Sequence, residues 1–189
     1  LDLYRACAPD ALLTGNRMNE VASAKHAHPK YCFKMATGTG KTKTCIALIY
    51  RLLKAQRFRR ILFLVDRSAL GEQAANAFKD TRMERLQTFA DIFGIKELEA
   101  QTPDDDTKVH IATVQGMMRR VLFPADGAAP PTVDEYDCVV IDECHRAGAT
   151  DGSEWRGILD YFAPAVQIGL TATPKRKDNV DTYAYFGEP

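Results

Sequence analysis

Apolar residues along this chain gather into short runs, and longer stretches of helical period lie between them. The runs "YCFKMA" (31–36), "ILFLV" (61–65), "VHIAT" (109–113), "CVVI" (138–141) and "VQIGL" (166–170) are nearly continuous in apolar character rather than alternating. That suits strands covered on both faces. Between the first two, "TKTCIALIYRLLKA" (42–55) repeats Cys45, Leu48, Ile49 and Leu52 at helical spacing, with Ile46 and Leu53 widening the face. "SALGEQAANAFKD" (68–80) opens with Ser68 as N-cap and carries Leu70, Ala74, Ala77 and Phe78 as a stripe, and "GSEWRGILDYF" (152–162) reads the same way. Strands alternating with crossover helices predict an α/β domain with a mostly parallel central sheet and helices on both faces.

Two stretches, "TPDDDTK" (102–108) and "PADGAAPPTVDE" (124–135), read as surface excursions, because Pro, Gly and acidic residues there offer nothing to pack. The run Asp104–Asp106 is expected to be a solvated loop rather than a cation site. Residues 1–30 are expected to form an N-terminal helical segment packed on one domain spanning 31–189. At 189 residues, 46% hydrophobic and 26% charged, the chain can bury a proper core. No run approaches the roughly 18 apolar residues of a membrane span, and "LDLYRACAPD" lacks an export pattern, so a cytoplasmic protein without a membrane partner is expected. Five cysteines are an odd number, and Cys32, Cys45 and Cys138 lie inside apolar runs, so disulfides are not expected. Twenty-five basic and 25 acidic side chains give zero formal charge, so any contact with nucleic acid must be local.

Three stretches carry candidate chemistry. In "KMATGTGKT" (34–42), Gly38 and Gly40 supply conformations that turn backbone N–H groups toward one point, and the following helix presents its positive end to the same anion. Thr37, Gly38, Thr39, Gly40, Lys41 and Thr42 form a candidate cradle for a nucleotide's phosphates. Lys41 would reach the β- and γ-phosphates, and Thr42 would give its hydroxyl to Mg2+. The usual pattern has another glycine where this chain has Met35. "CVVIDECHR" (138–146) supplies the acids such a site needs at the tip of a neighbouring strand: Asp142 for the metal, Glu143 to orient and deprotonate water. Zinc ligation by Cys144 and His145 is the rival, disfavoured because adjacent residues on a turn rarely converge and no C-x-x-C pair occurs. In "IGLTATPKR" (168–176), Thr171, Thr173 and Pro174 are either turn-formers or, behind the other two motifs, a relay that feels the γ-phosphate.

The order "MATGTGKT", "DECHR", "LTATP" resembles the first motor domain of superfamily 2 helicases and translocases, and among these the motor (R) subunit of type I restriction enzymes. "ILFLVDRSALGEQA", "VHIATVQGMMRRV", "WRGILDYFAPAVQIGLTATP" and "YFGEP" fit the same style. The resemblance implies a RecA-like P-loop NTPase fold, ATP and Mg2+ as ligands, and movement along double-stranded DNA. It makes Lys41, Asp142 and Glu143 catalytic, with His145, Thr171 and Thr173 coupling nucleotide state to DNA grip. It places DNA-backbone contacts at Arg67, Ser68, Thr113 and Gln115, where hydroxyls, amides and helix N-termini hold phosphates without reading bases. The clusters "RFRR" (57–60) and "KRK" (175–177) would add charge to that track or end as solvated helix and loop ends.

Relatives in that family read adenine with a glutamine upstream of the phosphate loop. Residues 1–40 contain no Gln, and Asn19 is the stand-in. The implied second RecA-like domain and nuclease domain are not in these 189 residues, so slow hydrolysis by the isolated fragment is expected. The implied partners are that second domain and the modification and specificity subunits of a restriction complex. The alternative within the class is another superfamily 2 DNA or RNA helicase. A GTP switch lacks its "NKxD" stretch, a small-molecule kinase has no use for "DECH" with "TATP", and a non-catalytic module would not keep Lys41, Thr42, Asp142 and Glu143 together.

Overall fold

Strands that are apolar on both sides must be covered on both sides, and two helical layers do so here. The computed structural model describes residues 30–35, 40–84, 87–96, 103–125, 127–146, 154–174, 176–177 and 180–186. Six strands form one sheet: β1 (Lys30–Lys34), β2 (Ile61–Val65), β3 (Gly94–Lys96), β4 (Thr107–Thr113), β5 (Cys138–Asp142) and β6 (Val166–Thr171). Their order is β1-β6-β5-β2-β4-β3 and every pair is parallel. All six C-terminal ends therefore emerge along a single edge. A short hairpin pairs β7 (Arg176–Lys177) with β8 (Val180–Asp181).

One face is covered by α1 (Lys41–Lys54), α2 (Ser68–Asp80) and α3 (Phe89–Ile92); their Ile46, Ile49, Phe78 and Phe89 pack on Ile61, Phe63, Val140 and Ile168. The other is covered by α4 (Val114–Val121), α5 (Glu154–Tyr161) and α6 (Thr182–Phe186), whose Met117, Ile158, Leu159 and Phe186 pack with Leu62, Leu64, Val139 and Ile141. Along β2 the alternation is complete: odd positions face one layer, even positions the other.

The five expected strands and three expected helices are present within a few residues of their expected bounds. Several details differ. Arg67, extended at φ −135° and ψ 152°, is the N-cap of α2, with no side-chain capping bond, and Ser68 is the first helical residue. Thr107 and Lys108, expected in a loop, open β4, and Thr107 is buried. The edge strand β3 is three residues long, too short to register as a run. α4 starts directly from β4 with no polar break; Thr113 ends the strand and caps the helix, its Oγ1 accepting from the Gly116 N–H at 3.0 Å. Lys30, expected to close the helical segment at 1–30, belongs instead to β1, and residues 1–29 lie outside the described residues.

α1 ends in a Schellman arrangement: the Gln56 N–H donates to the Leu53 carbonyl at 2.9 Å and the Arg57 N–H to the Leu52 carbonyl at 3.0 Å. Gln56 sits at φ 54°, a left-handed conformation that glycine adopts without penalty. Gln56→Gly is therefore expected to stabilise the chain by about 1 kcal/mol, read as a higher urea midpoint at unchanged m-value.

Candidate functional site

β1 runs toward the phosphate-loop motif and is held to β6 past its own end, the Met35 N–H donating to the Thr171 carbonyl at 2.8 Å. Ala36–Thr39 lie outside the described residues. Gly40 caps α1 at φ 75° and ψ 34°, with open space where a Cβ would stand. Lys41 and Thr42 form the first turn of α1. From there Lys41 Nζ reaches Glu143 Oε1 at 2.8 Å, with side-chain exposures of only 14% and 30%. The strands behind the two motifs are not neighbours, contrary to expectation: β6 lies between β1 and β5. The motifs nonetheless converge, because parallel strands end together and the lysine side chain spans the intervening strand.

Glu143 follows β5 at φ 51°, a left-handed conformation rare for a residue with a side chain. Its backbone N–H donates to Asp142 Oδ1 at 3.0 Å. Its second carboxylate oxygen lies 3.2 Å from His145 Nδ1, and that nitrogen lies 3.0 Å from Thr171 Oγ1. Thr171 Oγ1 in turn accepts from the Thr173 N–H at 3.1 Å. A continuous polar chain thus joins Lys41, Glu143, His145, Thr171 and Thr173, linking all three sequence motifs.

Asp142 stands beside this chain, its carboxyl held above its ordinary value by burial and by the Glu143 charge, against the opposing pull of the Glu143 N–H and Lys41. A half-buried acid next to a second acid favours an added cation. Asp142 offers a hard oxygen donor of the kind that Mg2+ takes.

Cys144 is fully buried in the 3-10 turn Cys144–Arg146, its sulfur 3.7 Å from that of Cys32 on β1. Hydrogen bonding between them holds the Cys32 thiol below its ordinary value and, with burial, pushes Cys144 up. Space for this contact comes from Gly169 on β6, where a Cβ would lie 2.7 Å from the Cys144 sulfur. The zinc alternative loses its ligands here, since Cys144 faces Cys32 while His145 faces Thr171 and Glu143. Among the described residues no group of three or more His, Cys, Asp and Glu could hold a metal. Cys32 and Gly169 were not singled out from the sequence, since only the register Cys32↔Gly169 brings them together.

Arg67 and Ser68 follow β2, Thr113 ends β4 and Gln115 lies in α4. β2 and β4 pair directly, Val65 opposite Thr113, so these four share the sheet edge that carries the three motifs. Arg67, Ser68 and Gln115 are exposed, while the Thr113 hydroxyl oxygen is engaged by Gly116. "RFRR" does not join that track: it precedes β2 at the opposite edge, where Arg59 pairs with Asp137 and Arg60 with Glu135. Of "KRK", Arg176 and Lys177 form β7, and Lys175, like Asn19, lies outside the described residues. No helix among the described residues is long and apolar enough to cross a membrane.

Comparison with known proteins places this geometry. The family described as type III restriction enzyme, res subunit, matches residues 14–176. The endonuclease subunit of the type I restriction enzyme EcoKI of Escherichia coli K12 is 48% identical, over 82% of this chain and 14% of that protein. The chain thus spans about one seventh of that relative. A fragment designated an HsdR subunit of a type I restriction enzyme from Vibrio vulnificus YJ016 is 34% identical at a TM-score of 0.51, covering 85% of this chain and 25% of that one. The Hef helicase domain of Pyrococcus furiosus, 24% identical, gives a TM-score of 0.61 over 84% of this chain and 33% of its own, a likeness of fold. The expected RecA-like α/β architecture is the one observed.

Substitutions at three positions test the site's internal forces. A carboxyl whose value is raised in the folded chain binds more protons there than when unfolded, so it opposes folding above the unfolded value of 3.8. Asp142→Asn should therefore raise the melting temperature at pH 7, by an amount that shrinks as pH falls toward 3.8. Gly169→Ala should destabilise by about 1–3 kcal/mol in urea unfolding through overpacking, and combining it with Cys144→Ala should cost less than the sum of the two.

Proposed function

This chain belongs to the family of type III restriction enzyme res subunits, and from that premise we propose that it is the ATP-binding half of a DNA-translocating motor, of the kind carried by type I restriction endonuclease subunits. The observation that carries the reading is the 2.8 Å contact of Lys41 with Glu143 across β6. The reading is supported because the proposed phosphate-binding lysine and the proposed general base meet at the end of a parallel sheet, where nucleotides bind in such folds.

In this reading Thr37–Thr42 cradle the triphosphate, and Lys41 exchanges Glu143 for phosphate oxygens when nucleotide arrives. Glu143, released, accepts the proton of the attacking water. Thr42 and Asp142 would hold Mg2+, which supplies neutralisation of charge on the phosphates. His145, sharing its Nδ1 between Glu143 and Thr171, passes the change in Glu143 to Thr171 and, through the Thr173 amide, to the loop after β6. Arg67, Ser68, Thr113 and Gln115 face duplex DNA from the same edge, contacting its backbone. Asn19 is the proposed adenine reader. Residues 1–29 would pack on the motor domain, whose first strand opens at Lys30.

A longer polypeptide would supply the second RecA-like domain and the nuclease, and the modification and specificity subunits would complete the complex, in the cytoplasm. Arginines donated across the cleft by a second domain are worth ~10³–10⁵ in turnover. The 189-residue chain is therefore expected to bind Mg-ATP yet hydrolyse it very slowly. Calorimetry on the wild-type chain and Lys41→Ala tests the assignment: removing a charge-assisted phosphate contact of about 1.5–3 kcal/mol should weaken binding roughly 10- to 100-fold. Equal affinities would remove the site.

A further inference from the structure

Two thiols that the nucleotide chemistry does not use are built into the frame of the site. Cys32 and Cys144 stand 112 residues apart in sequence, with their sulfurs 3.7 Å apart. The contact crosses β6 at Gly169, opposite Cys32 in the β1–β6 register, where a side chain would take the space that the Cys144 sulfur fills. Cys144 is buried, whereas Cys32 is partly exposed, so a reagent meets Cys32 first. Cys45 and Cys138 are buried in the cluster on the other face of the sheet.

We propose that Cys32 and Cys144 form a reversible disulfide, with a small-molecule disulfide such as oxidised glutathione as the oxidant, and that closing it weakens nucleotide binding. The Cys32 thiolate attacks one sulfur of the oxidant, breaking its S–S bond and releasing one thiolate. The Cys144 sulfur then attacks the Cys32 sulfur of the mixed disulfide, and the second thiolate leaves with the Cys144 proton. Two protein thiols are oxidised and one small disulfide is reduced to two thiols. Closing the gap from 3.7 Å to a bond of about 2 Å draws the turn toward β1. Glu143 and His145 flank Cys144 in the chain, so the partners of Lys41 and Thr171 move with it and are then tied to the strand that leads into the phosphate loop.

The affinity half of this proposal rests on the nucleotide reading above. The test incubates the chain with oxidised glutathione, digests it without reduction and searches by mass spectrometry for a peptide linking Cys32 to Cys144. Mg-ATP affinity is measured by calorimetry before oxidation, after it, and after dithiothreitol. The linked peptide should dominate, affinity should fall by about tenfold or more as a charge-assisted contact is lost, and the reductant should restore it. Cys32→Ala should bind as the reduced wild type does and lose both crosslink and sensitivity. A glutathione adduct at Cys32 with no link to Cys144, a link without change in affinity, or undiminished sensitivity in Cys32→Ala would each overturn the proposal. Failure of the reduced chain to bind Mg-ATP would overturn the nucleotide reading and the affinity half with it, while the linked peptide decides the dithiol half by itself.

Discussion

The ion pair of Lys41 and Glu143 is the contact on which the arrangement of the strand ends depends. Glu143 and Asp142 are consecutive carboxylates, both half-buried, and Glu143 adds to the raised proton affinity of Asp142. A lysine at 2.8 Å offsets the local negative charge. With its partners removed from water, either charge alone would be costly at this depth. That mutual need gives a physical reason for Glu143 to hold a left-handed backbone: in that conformation its carboxylate meets both Lys41 and His145.

The sheet makes the pairing possible. Because every pair of strands is parallel, residues far apart in sequence leave the sheet on the same edge, and the order β1-β6-β5 sets β6 under the bridge. β6 then serves twice. Gly169 leaves room for Cys144 to pack across the strand, and Thr171 at its end receives His145. A change at Lys41 thus has a short path into β6, through groups that touch, rather than a diffuse one. In the proposed reading, Glu143, at the end of β5, stands beside β2, whose end together with that of β4 carries the DNA grip.

The architecture was legible because parallel strands, buried on both faces, leave near-continuous apolar runs such as "ILFLV" and "CVVI", and because the helices between them keep a one-sided stripe. That the candidate residues Lys41, Asp142, Glu143, His145 and Thr171 gather at the strand ends was legible because groups expected to meet an anion must follow strands to reach it. What stayed hidden was set by pairing rather than composition. β3 needs a neighbour to be a strand at all, since "GIK" alone carries no period. The separation of β1 from β5 by a third strand follows from the order of the sheet, which no local pattern encodes. Cys32, Gly169 and Cys144 each look like ordinary core residues until the register sets them in line. Ser68 looked like a cap because serine is a good one, yet the extended residue before the helix is Arg67.

The central claim is that Glu143 holds the lysine that, in the proposed reading, a triphosphate takes. Glu143→Gln keeps the shape and removes the competing charge. Titration of a fluorescent ATP analogue with Mg2+ into both proteins measures the difference most directly. The account predicts tighter binding by the glutamine variant, by a factor that shrinks as salt is raised; equal or weaker binding, with the variant folded, would contradict it.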